Sequence, residues 1–303
     1  MPETQSLKRK QTGAAALLFL TSLIWGFAFI AQLEAGKTMG SLTFIGVRFV
    51  IGALSLIPVM LFFEKGKSDK TERRNTLIAG LVAGTVLCAA SNLQQYGIFL
   101  TQSAARSGFI TGLYMVFVPI LGIILKRKTT KFTWIGALIA LGGLYALSTG
   151  EVGIESFKGD IALLAGAVLW AVHIMVIDHF APRTRAVRFS MAQFWVCAIE
   201  SLILASFMEE VSAAGIIAGT LPLLYTGLLS SGVAYTLQIV GQRRVEPARA
   251  SVIFSTETVF SAAGEILILR KFLEPIGYLG CALILTGMLL AQIRPKKSSK
   301  LQK

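Results

Sequence analysis

The sequence predicts an all-α integral membrane protein with ten transmembrane helices arranged as two inverted five-helix repeats. Three observations carry that prediction: long charge-free apolar runs, a nearly constant internal self-match, and basic charge that alternates between successive loops. Apolar residues make up 54% of the 303 and charged residues 15%, whereas a soluble domain is about a quarter charged. Most of this chain's surface is therefore solvated by something other than water.

Residues 13–33, "GAAALLFLTSLIWGFAFIAQL", contain no charge, and about 20 residues at ~1.5 Å each cross the hydrocarbon of a bilayer. The stretch follows Lys8-Arg9-Lys10 but is longer than a signal-peptide core and lacks a clear cleavage site, so it reads as a retained helix. Further spans follow at 41–63, 76–99, 104–125, 132–149, 159–179, 189–208, 216–241, 248–269 and 275–293. The least uniform are 76–99, which holds Asn92, Gln94 and Gln95, and 248–269, which holds Glu257 and Glu265.

With the N-terminus inside, the inner segments Lys8–Lys10, 65–74, 126–131, 183–188, 243–249 and 294–303 hold 23 of the 29 Lys and Arg. The outer loops hold 5, and Arg48 lies within a span. The positive-inside rule then places both termini in the cytoplasm. The net charge of +13 is thus a topology signal with some affinity for anionic lipid, and nucleic acid is not an expected partner.

Sliding the chain by 144 residues matches Leu93-Gln94 with Leu237-Gln238, Gly97 with Gly241, Ser107 with Ser251, Gly136 with Gly280 and Gly143 with Gly287. Near the start the offset is 145, matching Trp25 with Trp170 and Phe49 with Phe194. The repeats are 13–149 and 159–293, between a tail at 1–12 and a basic tail at 294–303. An odd number of helices per repeat inverts the second relative to the first. Inverted repeats are common in secondary transporters, whose substrate site lies between them near the midplane. Gly80-xxx-Gly84, Gly108-xxx-Gly112 and Gly215-xxx-Gly219 put small residues on one helix face and favour close packing. Pro119 is a plausible kink beside a cavity. Cys88, Cys197 and Cys281 lie within spans and behave as small apolar residues; no disulfide framework or metal-ligand spacing is implied.

"LIWGFAFI", "GFITGLYMVFVPILGIIL" and "WIGALIALGGLYALS" in the first half, with "VLWAVHIMVID", "STETVFSAAGEIL" and "GCALILTGMLLA" in the second, resemble EamA-type permeases of the drug/metabolite transporter superfamily. The resemblance covers roughly 13–293. It implies ten helices, export or exchange of small metabolites such as amino acids, and a cavity lined by the first, third, fourth, sixth, eighth and ninth spans. The chain departs from the pattern in two places. The Gly-Glu pair that often ends the fourth and ninth spans reads "LKRK" and "LRKF" here, so no role for that glutamate transfers. The family's Glu-Pro-Val reads Glu257-Thr258-Val259, which removes the usual cause of a kink.

An ionisable side chain at the centre of a span costs at least ~2.5–3.5 kcal/mol and usually faces protein or water. Glu257 lies about ten residues into its span and is the foremost candidate, as an anchor for a substrate amine or as a proton site. Glu265 is about a turn from Arg270-Lys271 and is expected to bridge to one of them. Arg48 and Glu200, in the second and seventh spans, are expected to make structural contacts away from the cavity wall, although a guanidinium also grips carboxylates with two bonds. Gln94 and Gln238 are repeat partners, and an amide offers both donor and acceptor. Asn92, Tyr114 and Tyr235 are weaker candidates of the same kind, and Trp25 suits an apolar cavity wall. His173 is either a proton relay or a buried neutral histidine.

The expected function is a secondary transporter exporting or exchanging small polar metabolites, with no cofactor and no metal. No Walker-type loop is present to hold nucleotide. The alternatives are an integral-membrane enzyme on lipid-linked substrates, which would need a catalytic cluster not evident here, and a non-transporting partner subunit. Expected partners are a small-molecule substrate, the lipid bilayer and, for a coupled mechanism, protons; a homodimer is left open. The basic asymmetry gives a first prediction. A reporter active only in the cytoplasm, fused after Lys303, gives signal, and one active only outside is silent; the opposite pattern overturns the even span count.

Overall fold

A computed structural model describes residues 2–66, 68–127, 130–147, 154–272, 274–291 and 293, and the basic tail at 294–303 lies outside them. The described residues are almost wholly helical. Eight helices are long and apolar enough to cross a membrane, and two shorter apolar helices accompany them. In chain order the segments are α1 (Pro2–Ala35), α2 (Ser41–Phe63), α3 (Lys70–Thr101), α4 (Ala104–Ile124), α5 (Lys131–Leu147), α6 (Ile154–Phe180), α7 (Ala186–Met208), α8 (Thr220–Gln242), α9 (Pro247–Ile268) and α10 (Pro275–Ala291). Large apolar side chains such as Phe63, Phe207, Leu221 and Leu267 are exposed, as a lipid-facing surface requires.

Helix α1 starts well before residue 13 because nothing between Glu3 and Thr12 breaks a helix. Helix α3 starts where the Asp69 carboxylate accepts the Glu72 N–H at 2.6 Å, and ends at Gln102 in the left-handed region with φ 51. Three segments expected as continuous helices are interrupted. Helix α4 breaks at Leu113, six residues before Pro119, and α9 breaks at Ser255–Thr256. The α9 break occurs without a proline: the Ser255 and Thr256 hydroxyls bond back to the carbonyls of Val252 and Ile253, and Thr258 N–H and Val259 N–H reach only three residues back. Such hydroxyls compete with the helical ladder. The two breaks lie at equivalent positions of the self-match, since Leu113 corresponds to Glu257. Helix α8 contains a π-helical stretch, Tyr225–Tyr235, a wider turn that often marks functional positions.

The packing is reciprocal. Helices α2 and α7 lie against each other, and each ends in a carboxylate that caps the start of the other. Glu209 accepts from Leu42 N and Thr43 N, both at 2.9 Å, and from Thr43 Oγ1 at 2.8 Å. Glu64 accepts from Val187 N at 2.9 Å and Arg188 N at 3.1 Å. Anions at helix N-termini satisfy orphan N–H groups and complement the dipole. Helices α5 and α10 form a second reciprocal pair. A Cβ on Gly136 would lie 2.5 Å from the Gly287 carbonyl oxygen, and one on Gly287 would lie 2.4 Å from that of Gly136, so only glycine fits this approach. Gly80 and Gly84 face Ala192 and Val196 of α7.

Removing the Glu209 cap by Glu209→Ala costs about 0.5–2 kcal/mol. It therefore lowers the apparent unfolding temperature in detergent by a few degrees, whereas Glu210→Ala, at an exposed neighbour, does not. Equal effects of the two substitutions contradict the capping role.

Candidate functional site

The two breaks and the π-helical stretch surround one interior cavity, lined from α1, α2, α3, α4, α6, α8 and α9. About 30 Å³ of it is open to the centre of a water molecule. Ala28, Phe29, Trp170, Ile174 and Phe254 make its apolar walls, while Gln32, Arg48, Gln94, Gln238 and Glu257 are the main polar side chains facing it.

Glu257 is the first residue of the second piece of α9 and Tyr114 the first of the second piece of α4. The Tyr114 hydroxyl donates to Glu257 Oε1 at 2.9 Å, so one hydrogen bond joins the two breaks. Only 4% of Glu257 is exposed, and its other oxygen has no hydrogen bond among the described residues. Helix α1 comes close at this point because of Gly26. A Cβ there would lie 2.6 Å from the Glu257 carbonyl oxygen and 2.3 Å from Phe260 Cβ. Ser22 Oγ, one turn earlier, lies 2.7 Å from Thr256 Oγ1.

On the other side Arg48 reaches from α2. Its Nε donates to Ser231 Oγ at 3.1 Å, one terminal nitrogen to Ser230 Oγ at 3.0 Å and the other to Gln32 Oε1 at 3.4 Å. Expected away from the cavity wall, Arg48 lines it. A guanidinium this deep must find polar partners, and those are the hydroxyls of the π-helical stretch. Trp25 Nε1 donates to the Ser230 carbonyl at 3.1 Å, and its ring packs on Tyr235 and Phe254. Gln94 Nε2 donates to Thr111 Oγ1 at 3.4 Å. The buried Gln238 Oε1 has no hydrogen-bond partner among the described residues.

The remaining candidates lie elsewhere. His173 packs edge-on to Trp170 and Tyr235 behind the wall, its Nε2 3.0 Å from Gln193 Oε1. Asn92 donates to Ser201 Oγ and the Cys88 carbonyl. Glu200 accepts from Thr85 Oγ1 at 2.6 Å. Glu265 makes no ion pair with Arg270 or Lys271 among the described residues. Its Oε1 instead accepts from Ala104 N at 2.8 Å and Ser103 Oγ at 3.3 Å, at the electropositive start of α4. Among the described residues no group of three His, Cys, Asp or Glu side chains could hold a metal ion. The sequence reading did not select Gln32, Thr111, Ser230 or Ser231. The available signal was the polar, small-residue run Ser230-Ser231-Gly232 in the middle of an apolar stretch.

The architecture is that of a multi-pass helical membrane protein whose interior cavity combines apolar walls with a few polar side chains. The comparisons with known proteins make this specific. The model of the EamA-like transporter family matches residues 12–149 and again 157–292, and the chain belongs to that family. It is 31% identical over 281 residues to an "Uncharacterized transporter" of Archaeoglobus fulgidus, covering 91% of this chain and 85% of the relative. It is 22% identical to the "Uncharacterized inner membrane transporter YedA" of Escherichia coli K12, over 77% of this chain and 76% of that one. A solved crystal structure superposes with a TM-score of 0.75 at 19% identity, over 93% of this chain and 96% of its own, a likeness of fold alone.

Gln94→Ala and Gln238→Ala each remove an amide from the cavity, so each is expected to impair transport while the protein still reaches the membrane. Unaltered transport in both variants, for every substrate handled, makes these amides packing residues.

Proposed function

We propose that the protein is a secondary transporter that exports or exchanges small polar metabolites, amino acids or related compounds, by alternating access. The observation that carries this reading is a pair of ionisable side chains, Arg48 and Glu257, facing one interior cavity without an ion pair between them. A side chain that costs at least ~2.5–3.5 kcal/mol to insert is hard to explain by packing when its site faces open space.

The reading includes ten transmembrane helices in two inverted repeats, with both termini cytoplasmic. Its support is the double family match and the reciprocal contacts, in which Glu64 and Glu209 exchange roles, as do Gly136 and Gly287. Helix neighbours follow the same exchange: α3 packs on α6 and α7, while α8 packs on α1 and α2. Two similar halves can tilt either way at similar energy, which gives inward-open and outward-open states from one packing scheme. The relative named as an inner membrane transporter supports a place in the inner or plasma membrane. Glu257 serves as the proton site or the anchor for a substrate amine, while Glu265 holds the start of α4.

Counterflow of labelled metabolites in proteoliposomes tests the reading, because a membrane enzyme or a silent subunit gives none. Glu257→Gln keeps the size of the side chain and cannot ionise, so it is expected to impair transport strongly. Glu265→Gln keeps an acceptor for Ala104 N and retains most activity. A proton role predicts that Glu257→Gln loses pH dependence but still exchanges substrate for substrate; an amine-binding role predicts that exchange fails too. Exchange like the wild type's, with an unchanged pH response, leaves Glu257 a structural acid.

A further inference from the structure

We infer that Arg48 is a carboxylate anchor of the cavity, so that the molecule bound there carries a carboxylate group. This deepens the transport reading and rests on it for taking the cavity as a substrate site, yet binding can be measured without transport.

Arg48 is 3% exposed and lines the cavity, yet no Asp or Glu pairs with it among the described residues. Its three hydrogen bonds go to neutral oxygens of Ser230, Ser231 and Gln32, and Phe49 offers a ring face 5.1 Å from its guanidinium carbon. These contacts orient the guanidinium and leave its positive charge uncompensated. A guanidinium has five N–H donors, so capacity remains for an incoming acceptor. Buried structural charges in membranes are usually paired; an oriented, unpaired one beside open space is a site for an anion. A carboxylate suits the planar fork better than a spherical anion does, because it accepts two parallel bonds.

A second observation points to the same ligand. Gln238 Oε1 is buried at the cavity with no partner among the described residues, and Glu257 presents a carboxyl there as well. The cavity thus offers an unpaired cation on the α2 side and unsatisfied acceptors elsewhere. A molecule with a carboxylate at one end and N–H donors further along complements both, and the aromatic walls offer apolar surface to the body between them.

The test is ligand binding by the purified full-length chain in detergent, read as thermal stabilisation and as change in Trp fluorescence. The probes are the common α-amino acids, each beside its α-amide and its deaminated carboxylic acid. Carboxylate-bearing members are expected to bind and the amides to bind weakly. Arg48→Gln is expected to lower carboxylate affinity about tenfold to a hundredfold, the range for hydrogen bonds to charged groups, while the weak binding of amides is unchanged. Arg48→Lys keeps the charge, loses the fork and falls between. If Arg48→Gln does not fold, the Ser230→Ala/Ser231→Ala double variant removes the hydroxyls that aim the guanidinium and is expected to reduce the preference for carboxylate over amide several-fold. The inference is overturned if acids and amides bind the wild-type protein equally, if no carboxylate binds it, or if the substituted proteins keep the wild-type preference. Carboxylate-dependent binding without counterflow leaves the anchor standing and removes the transport reading; counterflow of carboxylate-free compounds with no carboxylate binding does the reverse.

Discussion

Hydrocarbon offers no water to a polar group, so every donor and acceptor within the membrane must be satisfied inside the protein or face an enclosed wet space. The rest of this structure is organised by that constraint. Where the helical ladder is interrupted in α9, Ser255 and Thr256 bond to carbonyls three residues back. Where α8 widens into a π-helical stretch, Thr21 Oγ1 and Trp25 Nε1 of α1 donate to the carbonyls of Ala234 and Ser230. The irregular backbone thus lies beside the cavity, although Leu228, Leu229 and Val233 of the π-helical stretch face outward. At the helix ends the carboxylates of Glu64, Glu209 and Glu265 take up N–H groups that would otherwise be orphaned.

Scaffold and site relate differently to the internal self-match of the sequence. The scaffold contacts obey it: the carboxylate caps of α2 and α7 and the glycine contacts of α5 and α10 each occur twice with roles exchanged. The charged groups of the cavity do not. Glu257 corresponds to Leu113, and Arg48 corresponds to Gln193, which contacts His173 rather than the cavity. A duplicated packing scheme needs like residues at like positions because backbones approach within van der Waals contact there. A binding site for an unsymmetrical molecule needs unlike groups on its two sides. Glutamines 94 and 238 lie between these cases: both line the cavity, but one has Thr111 as partner while the other's carbonyl oxygen has none.

Much of the fold was legible in the sequence because the membrane imposes simple rules. Eight of the expected span positions follow from long apolar runs, and Glu257 stands out because a carboxylate is costly among apolar residues. Other features were less legible because they depend on relations between distant segments. Nothing near Glu209 in sequence announces that it caps Leu42 and Thr43. Glu265 lies close to two cations in sequence, yet its oxygen meets the start of α4, brought there by packing. Arg48 faces the cavity through α8, whose π-helical stretch carries no proline or other strong local signal. The α9 break was unexpected because the proline that usually explains it is missing, while Ser255 and Thr256, which divert the ladder in its place, are unremarkable residues singly. For His173 the residue type alone leaves both a proton relay and a buried neutral histidine open; its place behind Trp170 and Tyr235 is a matter of packing.

The cavity's size bears on how the site would work. Ligand pockets run to roughly 300–1,000 Å³, and the cavity in this structure, at about 30 Å³, is much smaller. On the transport reading, loading requires the walls to separate. The interrupted segments are the natural places for that movement, since a break in the ladder bends without losing regular hydrogen bonds. The Tyr114–Glu257 bond spans two of those breaks, so any ligand group or proton that competes for Glu257 acts on the contact between the two moving pieces. Arg48 is held by Ser230 and Ser231 within the third irregular segment, the π-helical stretch of α8. Ionisable side chains and backbone irregularity therefore coincide at both ends of the cavity, and on the transport reading filling the site and moving its walls are a single event.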